Sequence, residues 1–448
     1  MPDIPDSHWG GSRNELHTFW MGSLAGMIKR ATIGLRNGPA AVNYRGTSVR
    51  FAKIDSGGSL CHLFIFVQMT LSLLFADIRS VVIPHDDALL PHWSELAAAI
   101  ENFDGDDLEF DIGGVDLRQS VVSLLAPTLA SRCKSVSLRN TSAREIGTAL
   151  NFAIEILRSN QHLDDFCYEN VLENQRASEL LCKCIMAHPE LSSVKVNRCY
   201  NSNIHGENAT FGYGMLRNLL GMNLRHLELE KNNINTDGCT FLSDYIASNT
   251  SLEYLGLEGN HLNDDDLRRI GVALMSNNRL RSLELKWNKY TTTGIGWLEL
   301  AVLGRRRSQS IADTTLNSSV DCNHTCRIPY IDYELDTLND NQSPLKNKLL
   351  KLYYTLEQMT LEGVLVKKLS TIACENLALL MPHILGRVET VHLELPRGGR
   401  PLSDDYAPMY RPLTIRFDLL RKTPGIFEHG GSASAMGWTV NSRSPHLL

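Results

Sequence analysis

Apolar positions recur in a fixed frame through the middle of the chain. Three segments share the pattern LxxLxLxxN: LRHLELEKNNI from Leu224, LEYLGLEGNHL from Leu252 and LRSLELKWNKY from Leu280, starting 28 residues apart. In each, two leucines stand two apart (Leu227 and Leu229, Leu255 and Leu257, Leu283 and Leu285). That spacing turns both to one face of a strand. The second half of each segment changes to helical spacing. Leu242 and Ile246, Ile270 and Leu274, and Leu298 and Val302 are each four apart, on one helix face. Each copy therefore predicts a strand, a turn and a helix. No copy can cover its own apolar face, so neighbours must stack.

The pattern extends upstream. LSSVKVNRC starts at Leu191, with Cys199 where the other copies have Asn. LDDFCYENV starts at Leu163, with Val171 at that position, and CKSVSLRNT starts at Cys133. The step from Leu191 to Leu224 is 33 residues, so the extra residues near Asn203–Tyr213 predict a longer loop. HWSELAAAIENF and LRQSVVSLLAPTLA read as helices flanking FDIGGV, a degenerate first strand. A period of this length with this signature is that of a leucine-rich repeat. The expected fold class is α/β, a ribonuclease-inhibitor-like horseshoe with a parallel concave sheet and outer helices. Asn232, Asn260 and Asn288, with Cys199, are expected as a structural ladder, because their side chains can satisfy backbone groups buried at each turn.

An array of this kind has two open apolar ends and needs caps. SPLKNKLLKLYYTLEQM carries Leu345, Leu349, Leu352 and Leu356 at helical spacing, with Pro344 in the first turn. CENLALLMPHILGRV and LTIRFDLLRKTPGIF are two further amphipathic candidates. The organisation expected is an N-terminal region without clear periodicity over 1–88, a repeat domain with its cap over 89–307, a helical C-terminal cap over 308–428, and a tail over 429–448. The apolar run Leu60–Phe75 falls short of the ~20 residues that span a bilayer. It reads as a buried strand or helix, and no membrane partner is expected.

Composition narrows the function classes. The 448 residues are 43% hydrophobic and 21% charged, an ordinary globular balance. Lys and Arg number 44 against 50 Asp and Glu, a net charge of −6, so no nucleic-acid partner is expected. Ten cysteines are too few here for a disulfide-dense secreted scaffold. The first residues, MPDIPDSHWGGS, have no apolar signal-peptide core. An intracellular protein, cytoplasmic or nuclear, is the expectation.

The motif set resembles a family of uncharacterised leucine-rich-repeat proteins of diatom-type algae. The matching pieces are HWSEL from His92, the three clean repeats, LNSSVDCNHTC at 316–326, MPHILGRV at 381–388 and LTIRFDLLRKTPGIF at 413–427. The resemblance covers about residues 92–428 and implies the horseshoe fold without implying an activity.

Motifs for chemistry are sparse. GxxxxGK[ST], HExxH and GxSxG are all missing from the sequence. Cys322, His324 and Cys326 have a CxHxC-like spacing. A zinc site needs a fourth ligand, and a small turn with buried thiols is the simpler reading. No cofactor, no metal and no catalytic residue is expected. The concave strand positions carry the information. By register, Glu228, Glu258 and Glu284 read as an acidic stripe, with Tyr254 and Trp287 as aromatic contacts. These five are the candidate binding residues. Like charges on adjacent strands repel, a cost that a basic partner would relieve. The expectation is a non-enzymatic module that binds a protein partner. The alternative is a GTPase activator of the Ran-activator type, which shares long repeats of this class.

Overall fold

In a computed structural model of the chain, the described residues are 29, 42–44, 47–49, 60–66, 86–103, 107–141, 146–200, 211–306, 308–310, 316–329, 339 and 343–361. The chain divides into two compact units. One comprises Met1–Ile295 with Cys326–Asp336, the other Gly296–Thr325 with Thr337–Leu448.

The first unit holds a ten-stranded sheet whose spatial order follows the sequence. Its strands are β1 (Val42–Tyr44), β2 (Thr47–Val49), β3 (Leu60–Phe66), β4 (Asp107–Gly113), β5 (Cys133–Arg139), β6 (Asp165–Glu169), β7 (Ser193–Val196), β8 (His226–Glu228), β9 (Tyr254–Gly256) and β10 (Ser282–Glu284). The first three pair antiparallel. From β3 onward every pairing is parallel. Among the described residues, one α-helix follows each strand from β3: α1 (Leu90–Glu101), α2 (Gln119–Arg132), α3 (Ile146–Ser159), α4 (Gln175–Ala187), α5 (Phe211–Leu220), α6 (Phe241–Ala247), α7 (Asp264–Ser276) and α8 (Thr292–Leu303). From α1 to α7, each packs on the next. FDIGGV lies in and just after β4, and both flanking helices form. The Leu60–Phe75 run supplies β3, and its residues 67–75 lie outside those described. Among the described residues, no helix is long and apolar enough to cross a membrane.

The periodic leucines form the core. Leu227, Leu229, Leu255, Leu257, Leu283 and Leu285 are buried, and so are the helical residues Leu242, Ile246, Ile270, Leu274, Leu298 and Val302. Each buried leucine contributes roughly 1.5–3 kcal/mol.

The turn after each strand needs more than apolar burial. Arg198, Lys231, Gly259 and Trp287, each seven residues into its copy, take positive φ values of 55°, 54°, 68° and 58°. The next residue then bonds backward. The Asn260 amide nitrogen donates to Leu229 O at 2.9 Å and Leu257 O at 3.0 Å, while its oxygen accepts from the backbone N–H groups of Asn232 and Ile234. Asn232 reaches Val196 O and Cys199 N, and Asn288 reaches Leu257 O and Leu262 N. The Cys199 thiol is a looser substitute, 4.0 Å from Tyr168 O. One copy departs from the expected frame. Val171 does not fill the ladder position. Asn170, one residue earlier, donates to Leu138 O at 3.0 Å and accepts from Thr141 N at 2.6 Å.

A second set of side chains closes the opposite corner, three residues before each copy begins. Asn277 donates to Ile246 O at 2.6 Å and accepts from Arg279 N and Leu280 N. Asn160 donates to Leu129 O and Cys133 O. His188 Nε2 lies 2.7 Å from Asn160 O. Gly221 occupies this position in the copy with the 33-residue step. The longer loop expected there is cut short by α5, which begins at Phe211, and residues 201–210 lie outside those described.

The second unit includes α9 (Leu316–Asp321) and α10 (Pro344–Leu361). Pro344 opens α10 as expected, and polar residues share its buried face. Leu345 is exposed, whereas Asn347, Lys351 and Thr355, four apart, are buried beside Leu352. Their polar ends are used. Asn347 donates to His324 O at 2.9 Å, and Thr355 shares a hydrogen bond of 3.0 Å with Ser319. The later amphipathic candidates and the tail lie outside the described residues.

Replacing Asn260 with Ala leaves buried backbone groups on two copies without partners. The expected cost is about 2–3 kcal/mol by urea denaturation. Asn235→Ala, at an exposed site in the adjoining turn, should cost less than about 0.5 kcal/mol. Equal losses would sink the ladder account.

Candidate functional site

The sheet face opposite the core leucines carries the candidate residues. Register decides which of them meet. Glu228 pairs with Gly256, and Gly256 with Glu284. Glu258 lies two residues further on, beyond that row. The anticipated stripe of Glu228, Glu258 and Glu284 is therefore not one line. The carboxylates that converge are Glu230, Glu258 and Glu284, whose oxygens lie within 4.8 Å of one another. Glu230 was not among the candidates read from the sequence. Its place two residues after Glu228, level with Glu258, was the available signal.

Glu228 instead belongs to a satisfied network. It accepts from Asn197 at 2.5 Å, lies 3.4 Å from His226 Nε2, and sits 3.9 Å from the Lys195 ammonium. Burial acts to raise its pKa, but the His226 hydrogen bond, the Lys195 charge and the Asn197 hydrogen bond outweigh burial and hold it below the usual value. Other acids on this face are also paired. Asp111 is 3.0 Å from Arg139, and Glu169 is 3.1 Å from Arg198.

The β8–β10 end differs. Among the described residues, no Lys, Arg or His nitrogen lies within 4 Å of the Glu230, Glu258 or Glu284 carboxylates. Burial pushes the Glu230 pKa up to about 7, with Glu228, Glu258 and Glu284 adding to the rise and Lys231 opposing it. Glu230 therefore does not ionise freely at neutral pH.

Tyr254 borders the cluster, and Trp287 follows β10 in sequence. Tyr254 stacks on His226, with ring centroids 4.0 Å apart and planes 2° from parallel. Burial raises its pKa, and so does its hydrogen bond to Glu284. Gly256 makes this arrangement possible. A Cβ there would stand 2.8 Å from Glu228 Cγ and 3.3 Å from the Tyr254 ring. Trp287 is 61% exposed. The Lys286 ammonium lies 4.3 Å from its ring centre and that of Lys231 5.2 Å. A bulky side chain at φ 58° costs roughly 1–2 kcal/mol, and so much exposure offsets little of that by packing.

The remaining candidates are structural. Asn232, Asn260 and Asn288 have their carboxamides committed to backbone groups, so they do not present a reactive amide. His324 Nε2 bonds to Val320 O at 2.9 Å, and Cys322 Sγ lies 4.0 Å from its Nδ1. Among the described residues, Glu230, Glu258 and Glu284 form the only group of three or more side chains spaced to share a cation.

No protein-family model matches this sequence, and no curated protein matches it.

Glu230 yields a pH test. Its folded pKa of about 7 exceeds the ordinary carboxylate value, so the folded state binds more protons than the unfolded chain over the interval between. Stability from this group is present in acid and falls as pH rises through that interval. Glu230→Gln should raise the melting temperature by a few degrees at pH 8 and leave it unchanged near pH 4.5. A gain of equal size at both pH values would exclude the crowding account.

Proposed function

We propose that this protein is a leucine-rich-repeat solenoid of the ribonuclease-inhibitor-like class that binds a protein partner on its concave sheet face and performs no chemistry of its own. One observation carries the reading. Toward the start of the sheet, Asp111, Glu169 and Glu228 are ion-paired, whereas among the described residues no Lys, Arg or His nitrogen lies within 4 Å of the clustered Glu230, Glu258 and Glu284 carboxylates. Holding like charges close costs stability, and a basic group on a partner would recover it. Trp287, just after β10, supports the same reading, because exposed aromatics are over-represented among residues that dominate binding energy. The rigid sheet supplies the remaining ingredient, since strand register fixes every side chain before a partner arrives. The helical C-terminal segments act as the cap of the solenoid in this proposal.

The test is capture of partners from native lysate, followed by calorimetry on the leading one. Trp287→Ala should weaken binding at least ~10-fold, the loss typical of a hot-spot residue. Glu230→Gln with Glu258→Gln should weaken it and flatten its salt dependence. Unchanged affinity in both variants would remove the β8–β10 end from the interface.

A further inference from the structure

A buried cluster in the second unit has no part in the binding face. Lys351 of α10 is only 1% exposed, and Cys322 is 5% exposed. The Lys351 ammonium donates to Asn323 O and approaches Cys322 Sγ at 3.9 Å. His324 also adjoins the sulfur. Its Nε2–H donates to the Val320 carbonyl, which leaves the Nδ1 lone pair facing Sγ at 4.0 Å. Nucleophile, base and amine are thus gathered around one sulfur in a closed site.

We propose that Cys322 and Lys351 are an oxidative cross-linking site, joined by a sulfur–nitrogen bond when the protein meets hydrogen peroxide. The chemistry needs one equivalent of peroxide. Sγ attacks a peroxide oxygen as His324 Nδ1 takes the thiol proton. The O–O bond breaks, and the leaving hydroxide collects that proton as water. The product at Cys322 is a sulfenic acid, a species that condenses with nitrogen. Lys351 releases one proton to solvent and its amine attacks the sulfur. The S–O bond breaks, and hydroxide leaves with a second amine proton as water. In sum, thiol, ammonium and peroxide give the S–N link, two waters and a proton. Sulfur is oxidised by two electrons and peroxide is reduced by two.

The surroundings favour this outcome over further oxidation. Burial holds the amine beside the sulfur and limits access for a second peroxide. Burial also lowers the His324 pKa to about 4, the Val320 bond opposing and the nearby Lys351 and Lys348 charges adding to the fall, so the imidazole is a free base at neutral pH. The link would fasten α10 to residues 322–324, which Asn347 and Lys351 already meet through hydrogen bonds.

The experiment treats the full chain with hydrogen peroxide at pH 8 and maps tryptic peptides by mass spectrometry. The expected result is a cross-linked peptide pair containing Cys322 and Lys351, lighter by two hydrogens than the sum of its parts. Cleavage after Lys351 should be lost, and dithiothreitol should restore both. Lys351→Met should divert Cys322 to sulfinic acid, and His324→Gln should slow formation of the link. Sulfinic acid at Cys322 in the wild-type chain with Lys351 unmodified would overturn the proposal. So would an unreacted Cys322 under peroxide that oxidises the exposed Cys239. Both readouts come from the wild-type protein, so the test stands if a variant misfolds.

Discussion

Each strand from β7 to β10 ends in a turn whose backbone groups point into the protein, and the structure depends on how those groups are satisfied. A residue in the left-handed conformation reverses the chain, and the next side chain bonds back to the preceding copy. The bond is directional where leucine burial is not. Leucines hold neighbouring copies together at almost any offset, but Asn232, Asn260 and Asn288 fix one. Where the frame weakens, the chain keeps the bond by other means. Asn170 reaches it from one position earlier, and Cys199 offers a weaker donor. Asn160, His188 and Asn277 perform the equivalent task at the helix-to-strand corner.

This register also decides the chemistry of the open face. Fixing Leu227 opposite Leu255 places Glu228 opposite Gly256, and the missing side chain there admits the Tyr254 ring. Glu228 is then taken up by Asn197, Lys195 and His226. Among the described residues no Lys, Arg or His nitrogen lies within 4 Å of the acids beyond it, which crowd one another. A Coulombic cost is stored at the end where Trp287 stands exposed. Core and candidate interface are thus two consequences of one offset.

The second unit solves its packing differently. The buried face of α10 presents Asn347, Lys351 and Thr355 because the turn it covers exposes carbonyl groups that apolar side chains would leave without partners. A charged amine fully inside a protein is costly unless it is hydrogen-bonded, and Lys351 has Asn323 O and the Cys322 sulfur. The same need to satisfy buried carbonyls recurs here without any repeat to announce it.

The sequence by itself determined the strand–turn–helix unit, its period, the buried leucines and the ladder asparagines of the three clean copies. These follow from local spacing, and local spacing is written directly in the chain. It also placed Glu258, Glu284 and Tyr254 on the open face, because side chains alternate along a strand. Tertiary structure alone decided which acids meet. Glu230 joins Glu258 and Glu284 while Glu228 is neutralised by β7, a matter of contacts between residues about 28 apart or more. It alone decided that Asn170 replaces Val171, and that α10 buries Lys351 while exposing Leu345. In each case the deciding partner is a backbone carbonyl or a charge on another segment. Such a partner leaves no mark on the spacing of the residue that answers it.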